Sequence, residues 1–383
     1  MGLLSDSGQQ NMTLGQKFWQ LNWGLILLIT LVSCIGFAML YSAANGSWDP
    51  WAKRQAMVFG LGLVFMIAVA LIDIKFWLRS AYFWYFVALV LLVVVEVAGH
   101  IGMGAQRWID LKVFKLQPSE VMKVAMVLAL ARYFHGVSMD DIGRPSYLII
   151  PIVMVVVPVL LILRQPDLGT SLMLVIGSGV IFFLAGVRLW KFALVGLAGL
   201  GSLPVVWSFM HGYQKQRVLT FLNPESDPLG SGYHIMQSKI AMGAGGMFGQ
   251  GFIQGTQSHL NFLPEKQTDF IFTMLTEEFG FVGGVTLITL YGLLFIYGLA
   301  ISLQCRSQFG RLVGMGVTTT FALYVFVNIA MVTGVIPVVG APLPLVSYGG
   351  TAMIVVLGGF GLLMNVFVHR DVRIPRRWSD PLS

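Results

Sequence analysis

Long apolar runs recur along almost the whole chain, and they restrict its fold more than any other feature. Crossing the hydrocarbon core takes about 20 largely apolar residues in a helix. A bilayer offers the backbone no other hydrogen-bond partner, so a segment of this kind spans it as a helix. Runs of this kind fall at 23–41, 54–72, 80–98, 118–134, 147–163, 170–186, 190–209, 270–300, 311–336 and 347–368. They predict an all-α polytopic membrane protein of about ten transmembrane helices. The expected organisation is one membrane domain over 1–383, a long outer loop at 210–269 between spans seven and eight, and a basic tail at 370–383. Composition agrees: 11% of residues are charged and 56% are hydrophobic, whereas a soluble domain carries about 25% charged residues. The run at 270–300 is long enough to begin above the hydrocarbon or to tilt. Ser42-Ala43-Ala44 resembles a signal-peptide cleavage site. The apolar run before it, Gly24 to Tyr41, exceeds the roughly 7–15 residues of a signal peptide, which predicts an uncleaved first span.

Net charge is +7, but the basic residues are scattered between apolar runs, which argues against nucleic acid as a partner. The densest cluster is Arg370, Arg373, Arg376 and Arg377, just after the last run, where it reads as a cytoplasmic anchor on anionic lipid. An even number of spans puts both termini on that side. Inner segments then hold Lys17, Lys75, Arg79, Arg132, Arg144, Arg188, Lys191, Arg306 and Arg311. Trp48, Trp51, Trp108 and Trp207 mark one interface, and Trp23, Trp77 and Trp190 the other. Cys34 and Cys305 fit neither a disulfide nor a metal-ligand pattern, and the scattered histidines predict no structural metal site.

Several polar segments interrupt this apolar frame. The run Gly243 to Gly251 is rich in glycine but lacks the Lys-Ser/Thr of a phosphate-binding loop and follows no strand, so tight backbone turns are the expected use. Tyr233 to Met242 is expected to form a short helix on the membrane surface. Glu120 and Lys123, three apart at the start of the fourth span, share a helix face and can pair. Charges at that depth usually face a bundle interior or a watery cavity. Arg107 lies in the short outer loop before them and is expected to point into the same cavity. Glu96 has no evident partner in sequence. Asp167 is placed to cap the sixth span and to pair with Arg164.

The sharpest feature is Glu265-Lys266-Gln267-Thr268-Asp269-Phe270, where the long loop enters the eighth span. Two readings of Asp269 stand side by side. In one, Thr268 caps the helix and Asp269 sits in its first turn, stabilised by the helix dipole. In the other, Asp269 is a carboxylate at the membrane surface able to act as a general base. Thr273, Thr276 and Glu277 continue a polar stripe from Asp269 that is expected to line a cavity. Further on, three prolines and three glycines between Pro337 and Gly350 forbid regular helix. Irregular backbone at membrane depth is tolerated only against protein or water, so this stretch is expected to pack beside the Asp269 loop.

Taken in order, Gly104-Ala105-Gln106-Arg107-Trp108, Gln117-Pro118-Ser119-Glu120, Gln165-Pro166-Asp167-Leu168-Gly169-Thr170, Leu263-Pro264-Glu265 with Thr268-Asp269-Phe270, and Pro342-Leu343-Pro344 with Ser347-Tyr348-Gly349-Gly350-Thr351 resemble the SEDS family (shape, elongation, division and sporulation). Ser258-His259-Leu260-Asn261-Phe262 before this motif looks more like the rod-elongation branch than the division branch. The resemblance implies a glycosyltransferase that polymerises lipid II into glycan strands at the outer face of the cytoplasmic (inner) membrane, working with a class B penicillin-binding protein and the elongation machinery. It implies that Asp269 is catalytic and that Arg107, Glu120 and Lys123 serve the substrate. Arg217, Glu265, Lys266 and Ser347 join them as candidate substrate-binding residues, and a divalent cation, Mg2+ or Mn2+, as a candidate cofactor. A lipid flippase or transporter is the alternative from another class, since intramembrane charges and broken helices suit it equally. A non-catalytic scaffold is the third reading.

Overall fold

A computed structural model describes residues 12–102, 105–110, 115–138, 140–210, 212, 215, 219–221, 231–260, 262 and 265–375. Each of the ten expected spans is a helix: α2 Trp23–Ala43, α3 Trp51–Leu71, α4 Ile74–Ala98, α5 Pro118–Gly136, α6 Pro145–Arg164, α7 Leu168–Ala185, α8 Leu189–Phe209, α11 Ile271–Gln304, α12 Gln308–Val332 and α13 Gly350–Val368. A short α1, Leu14–Trp19, precedes them, closed by a reciprocal Thr13–Gln16 capping box. Between α8 and α11 lie α9 Ser231–Ala244 and the single turn α10 Thr256–His259. Eight of the ten are apolar enough throughout to cross a membrane by length and composition alone. Of the other two, α8 keeps an apolar stretch at Leu189–Ser202, whereas α5 carries Glu120, Lys123 and Arg132 and takes its place by being packed among α4, α7 and α12.

The all-helical expectation needs one amendment. Three short antiparallel strands, β1 His100–Gly102, β2 Ala105–Asp110 and β3 Lys115–Leu116, fold the connection between α4 and α5 into a small sheet in the order β1-β2-β3. Arg107 therefore sits on a strand and not in an irregular loop. Ile109 and Asp110 pair with Leu116 and Lys115, which brings the chain back to the start of α5.

The core lies where α2, α3, α5, α12 and α13 meet. Leu25, Ile29, Met66, Met122, Leu130, Met331, Leu357 and Met364 are fully excluded from the surface there. Outward faces of the spans are apolar and exposed, as for Leu61, Phe86, Ile149, Leu172 and Leu197, the pattern of helices solvated by lipid. Lys17 Nζ donates to Leu71 O, Asn365 Nδ2 to Ala70 O, and Arg306 N to Arg370 O, so both ends of the described chain meet at one pole of the bundle. Asp269, α9 and α10 lie toward the other. Cys34 and Cys305 are free thiols.

Candidate active site

The approach to Asp269 begins in a break. α11 is interrupted at Gly280, whose φ of 67° and ψ of −163° take it out of the helix. Such a break frees backbone groups that must find partners away from water. The glycine-rich run supplies them: Gln250 N donates to Glu277 O at 3.0 Å and Gly251 N to Glu278 O at 3.1 Å. In return Phe281 N and Val282 N donate to Gly246 O and Met247 O. A Cβ on Gly249 would come within 2.0 Å of Glu278 O, so this backbone-to-backbone seat admits only glycine. The run is therefore a structural turn, as its sequence suggested, and not a phosphate loop.

Above the break, the loop leading to Asp269 is tied down by buried acids. Glu277, wholly buried, accepts from Gln257 N at 2.7 Å, Ser258 N at 3.1 Å and the Ser258 hydroxyl. Its carboxylate thus caps α10, which has no capping side chain of its own. Glu278 accepts from the Ser42 hydroxyl and lies 3.1 Å from His259 Nε2. Thr273 meets Ser238 of α9 at 2.7 Å, and Thr276 bonds back to its own helix. The expected stripe below Asp269 is thus real but faces neighbouring protein, and it does not line an open cavity.

Asp269 itself is half-buried on a turn that precedes the helix. Helix α11 starts at Ile271 with Phe270 at its cap position, and Thr268 Oγ1 donates to Glu265 O instead of capping. This overturns the first of the two readings: Asp269 is not in a helical turn stabilised by a Thr268 cap. The turn is held by its carbonyls. Tyr348 N donates to Gln267 O at 2.8 Å, the Ser347 hydroxyl to Thr268 O at 2.5 Å, and Asn328 Nδ2 to Asp269 O at 2.9 Å. A Cβ on Gly340 would lie 3.5 Å from Asp269 Oδ2, so the carboxylate sits against bare backbone. The proline-rich stretch packs beside Asp269 as expected. It is buried at Ala341, Leu343, Leu345 and Val346, with Gln55, Tyr291 and Asn328 serving its carbonyls at 347, 344 and 341.

The remaining candidates fall into separate groups. Lys123 Nζ lies 2.8 Å from Glu120 Oε1, both almost wholly buried, and 4.0 Å from the centre of the Tyr324 ring. The Tyr324 hydroxyl donates to the other oxygen of Glu120. The pair, with Thr320 and Tyr324, lines a cavity of about 30 Å³ between α5, α12 and α13. Arg107 does not join it. Its guanidinium donates to the carbonyls of Gln165, at 3.0 Å, and Pro166, and stands 4.0 Å from Asp167. Asp167 caps α7 through Thr170 N as expected, but its cation is Arg107, because Arg164 turns to Glu96 at 3.5 Å. Lys266 faces inward to Ser258 O at 2.8 Å, so its amine braces the loop. Burial pushes that amine's pKa down, opposed by the Glu277 and Glu278 carboxylates. Ser347 is likewise committed, also accepting from Leu343 N. Glu265 turns the chain with a left-handed φ of 54°. Arg217 lies outside the described residues. Among the described residues no cluster of three or more His, Cys, Asp and Glu is placed to hold a metal ion.

Sequence reasoning missed Tyr324 and Asn328. Their signal was present: Thr320, Tyr324 and Asn328 recur every four residues along α12, and share one face of it.

Residues 19–372 match the FtsW/RodA/SpoVE family model, described as cell cycle protein. Over 353 residues the chain is 45% identical to the peptidoglycan glycosyltransferase MrdB of Escherichia coli K12, covering 91% of this chain and 94% of that one. It superposes with a TM-score of 0.78 on a chain solved in work on coordination of polymerization and crosslinking by a peptidoglycan synthase complex, at 35% identity and with 94% and 99% of the two chains covered. The rod shape determining protein RodA of Thermus thermophilus matches at a TM-score of 0.69 and 31% identity, with 91% and 97% covered.

Proposed function

Because the chain belongs to the FtsW/RodA/SpoVE family and is a multi-pass membrane peptidoglycan glycosyltransferase, we propose that it polymerises lipid II with Asp269 as the general base. The observation that carries this is the turn at 267–269. A carboxylate outside any helix, half-buried, is held by three backbone anchors at the polar pole of an apolar bundle.

In the reaction, the 4-hydroxyl of the acceptor sugar gives its proton to the Asp269 carboxylate as its oxygen attacks the anomeric carbon of the donor strand. The bond from that carbon to the lipid pyrophosphate breaks, and the pyrophosphate leaves with the electron pair. General base catalysis of this kind is typically worth about 10²–10⁴-fold. Negative charge growing on the leaving group calls for fixed cations. Arg107, partly exposed beside the outer sheet, Lys123 in its cavity and Arg217 are our candidates. Glu120 fixes Lys123 in place. Glu265 completes the turn that presents Asp269, while Lys266 and Ser347 act by holding it.

The polymer is the substrate of a crosslinking enzyme, and we take a class B penicillin-binding protein within the elongation machinery as partner. The solved peptidoglycan synthase complex and the similarity to RodA support that choice. We place the protein in the cytoplasmic membrane with both termini inside, on the strength of the basic residues Lys17, Arg306 and Arg370 at the pole where the two ends of the described chain meet. Lipid II polymerisation by the purified protein and partner, run beside a lipid translocation assay in vesicles, tests the reading. Polymerisation reduced by about 100-fold or more in Asp269→Asn, with no translocation in either protein, is the expected result. Translocation that survives without polymerisation in the wild type would install the flippase in its place.

A further inference from the structure

Asn328 lies wholly buried in α12, and its amide nitrogen donates to two carbonyls from different parts of the chain: Asp269 O at 2.9 Å and Ala341 O at 2.7 Å. Those two carbonyls flank the carboxylate. One belongs to Asp269 itself, and the other follows Gly340, the residue against which Asp269 Oδ2 rests. One side chain therefore sets the spacing between the base and the wall behind it. The other two anchors of the turn, at Gln267 and Thr268, both come from 347–348 and fix its approach but not Asp269 itself. One helical turn away on the same face, Tyr324 holds Glu120, and through it Lys123.

From this we propose that Asn328 is the positioning residue of the reaction, and that α12 acts as a rod carrying the base anchor and the Glu120–Lys123 anchor in one rigid frame. The inference rests on Asp269 being the base. A helix keeps residues four apart at a nearly constant separation. Loops meeting at a site gain no such constancy from their own backbone. Displacing a reacting group by about 1 Å costs on the order of 10²-fold in rate, so the cost of losing the anchor falls on turnover. Substrate binding, which spreads over the outer face, is spared.

The test compares Asn328→Leu and Asn328→Asp, both close in size and both lacking the amide donors, in the full-length protein with its partner. Each is built in the wild-type and in the Asp269→Asn background, with melting in detergent recorded for all. In the wild-type background kcat falls about tenfold or more while KM for lipid II stays within a factor of about three and the protein remains folded. In the Asp269→Asn background the same changes leave the residual rate unaltered, because the group they position is gone. Equal losses in both backgrounds, a KM effect without a kcat effect, an unchanged wild-type rate, or loss of folding in both variants would each overturn the assignment. Retained activity in Asp269→Asn alone overturns the base, and is read separately.

Discussion

Asp269 shows what a single residue discloses in sequence and what it withholds. A carboxylate entering an apolar run was legible as a candidate base, but so was a capped helix start, since Thr-Asp is a common opening for a helix. What decides between them is where α11 begins, and that depends on donors far away in sequence, at 328, 347 and 348. Lys266 carries the same lesson. As a cation in an outer loop it looked ready for a phosphate, yet it turns inward to Ser258. Its lowered pKa has a consequence of definite sign. The folded protein binds fewer protons here than the unfolded chain at any pH between the lowered value and 10.5, the ordinary lysine value. Stability therefore rises with pH across that window and levels off above it. Lys266→Met keeps the apolar stem and abolishes the titration. The melting temperature of the variant is expected to rise less than that of the wild type as pH climbs toward 10.5.

At the scale of elements, the existence and order of the membrane helices were readable because their cause is local, an apolar stretch of sufficient length, although some ends moved by several residues, as at Ile74, Gln304 and Val332. The three short strands and the break at Gly280 were not readable, because their causes are pairings with other segments. The glycine run at 243–251 was seen as turns, while its partner inside α11 looked like unbroken helix. Gly249→Ala would put a methyl 2.0 Å from Glu278 O at a φ of 85°. A stability loss of more than about 2 kcal/mol follows from overpacking and left-handed strain together, seen as a lower melting point. Glu277→Ala removes the carboxylate that caps α10, leaving the part-buried amide of Gln257 and the buried amide of Ser258 unpaired. The expected cost is about 1–3 kcal/mol, with faster hydrogen exchange across 256–260 as its local mark. Glu277→Gln keeps one acceptor and should recover part of both effects.

Over the whole molecule, the apolar bundle acts as a stand that holds a small polar assembly at one pole. Family membership and the reaction were legible in the order of the motifs, but the convergence of candidate residues was not. Arg107 goes to the 165–167 turn and Glu120 and Lys123 to an inner cavity, with α12 linking that cavity to Asp269. Spacing in sequence cannot tell which of several polar groups will share a cavity, since that is fixed by how helices distant in the chain pack. If Asp269 is the base, glycan chains cannot grow at the wild-type rate without its carboxylate. Lipid II polymerisation by Asp269→Ala, purified with its partner transpeptidase and matched to wild type in melting temperature, should fall by at least about 100-fold. A rate equal to that of the wild type would contradict the account.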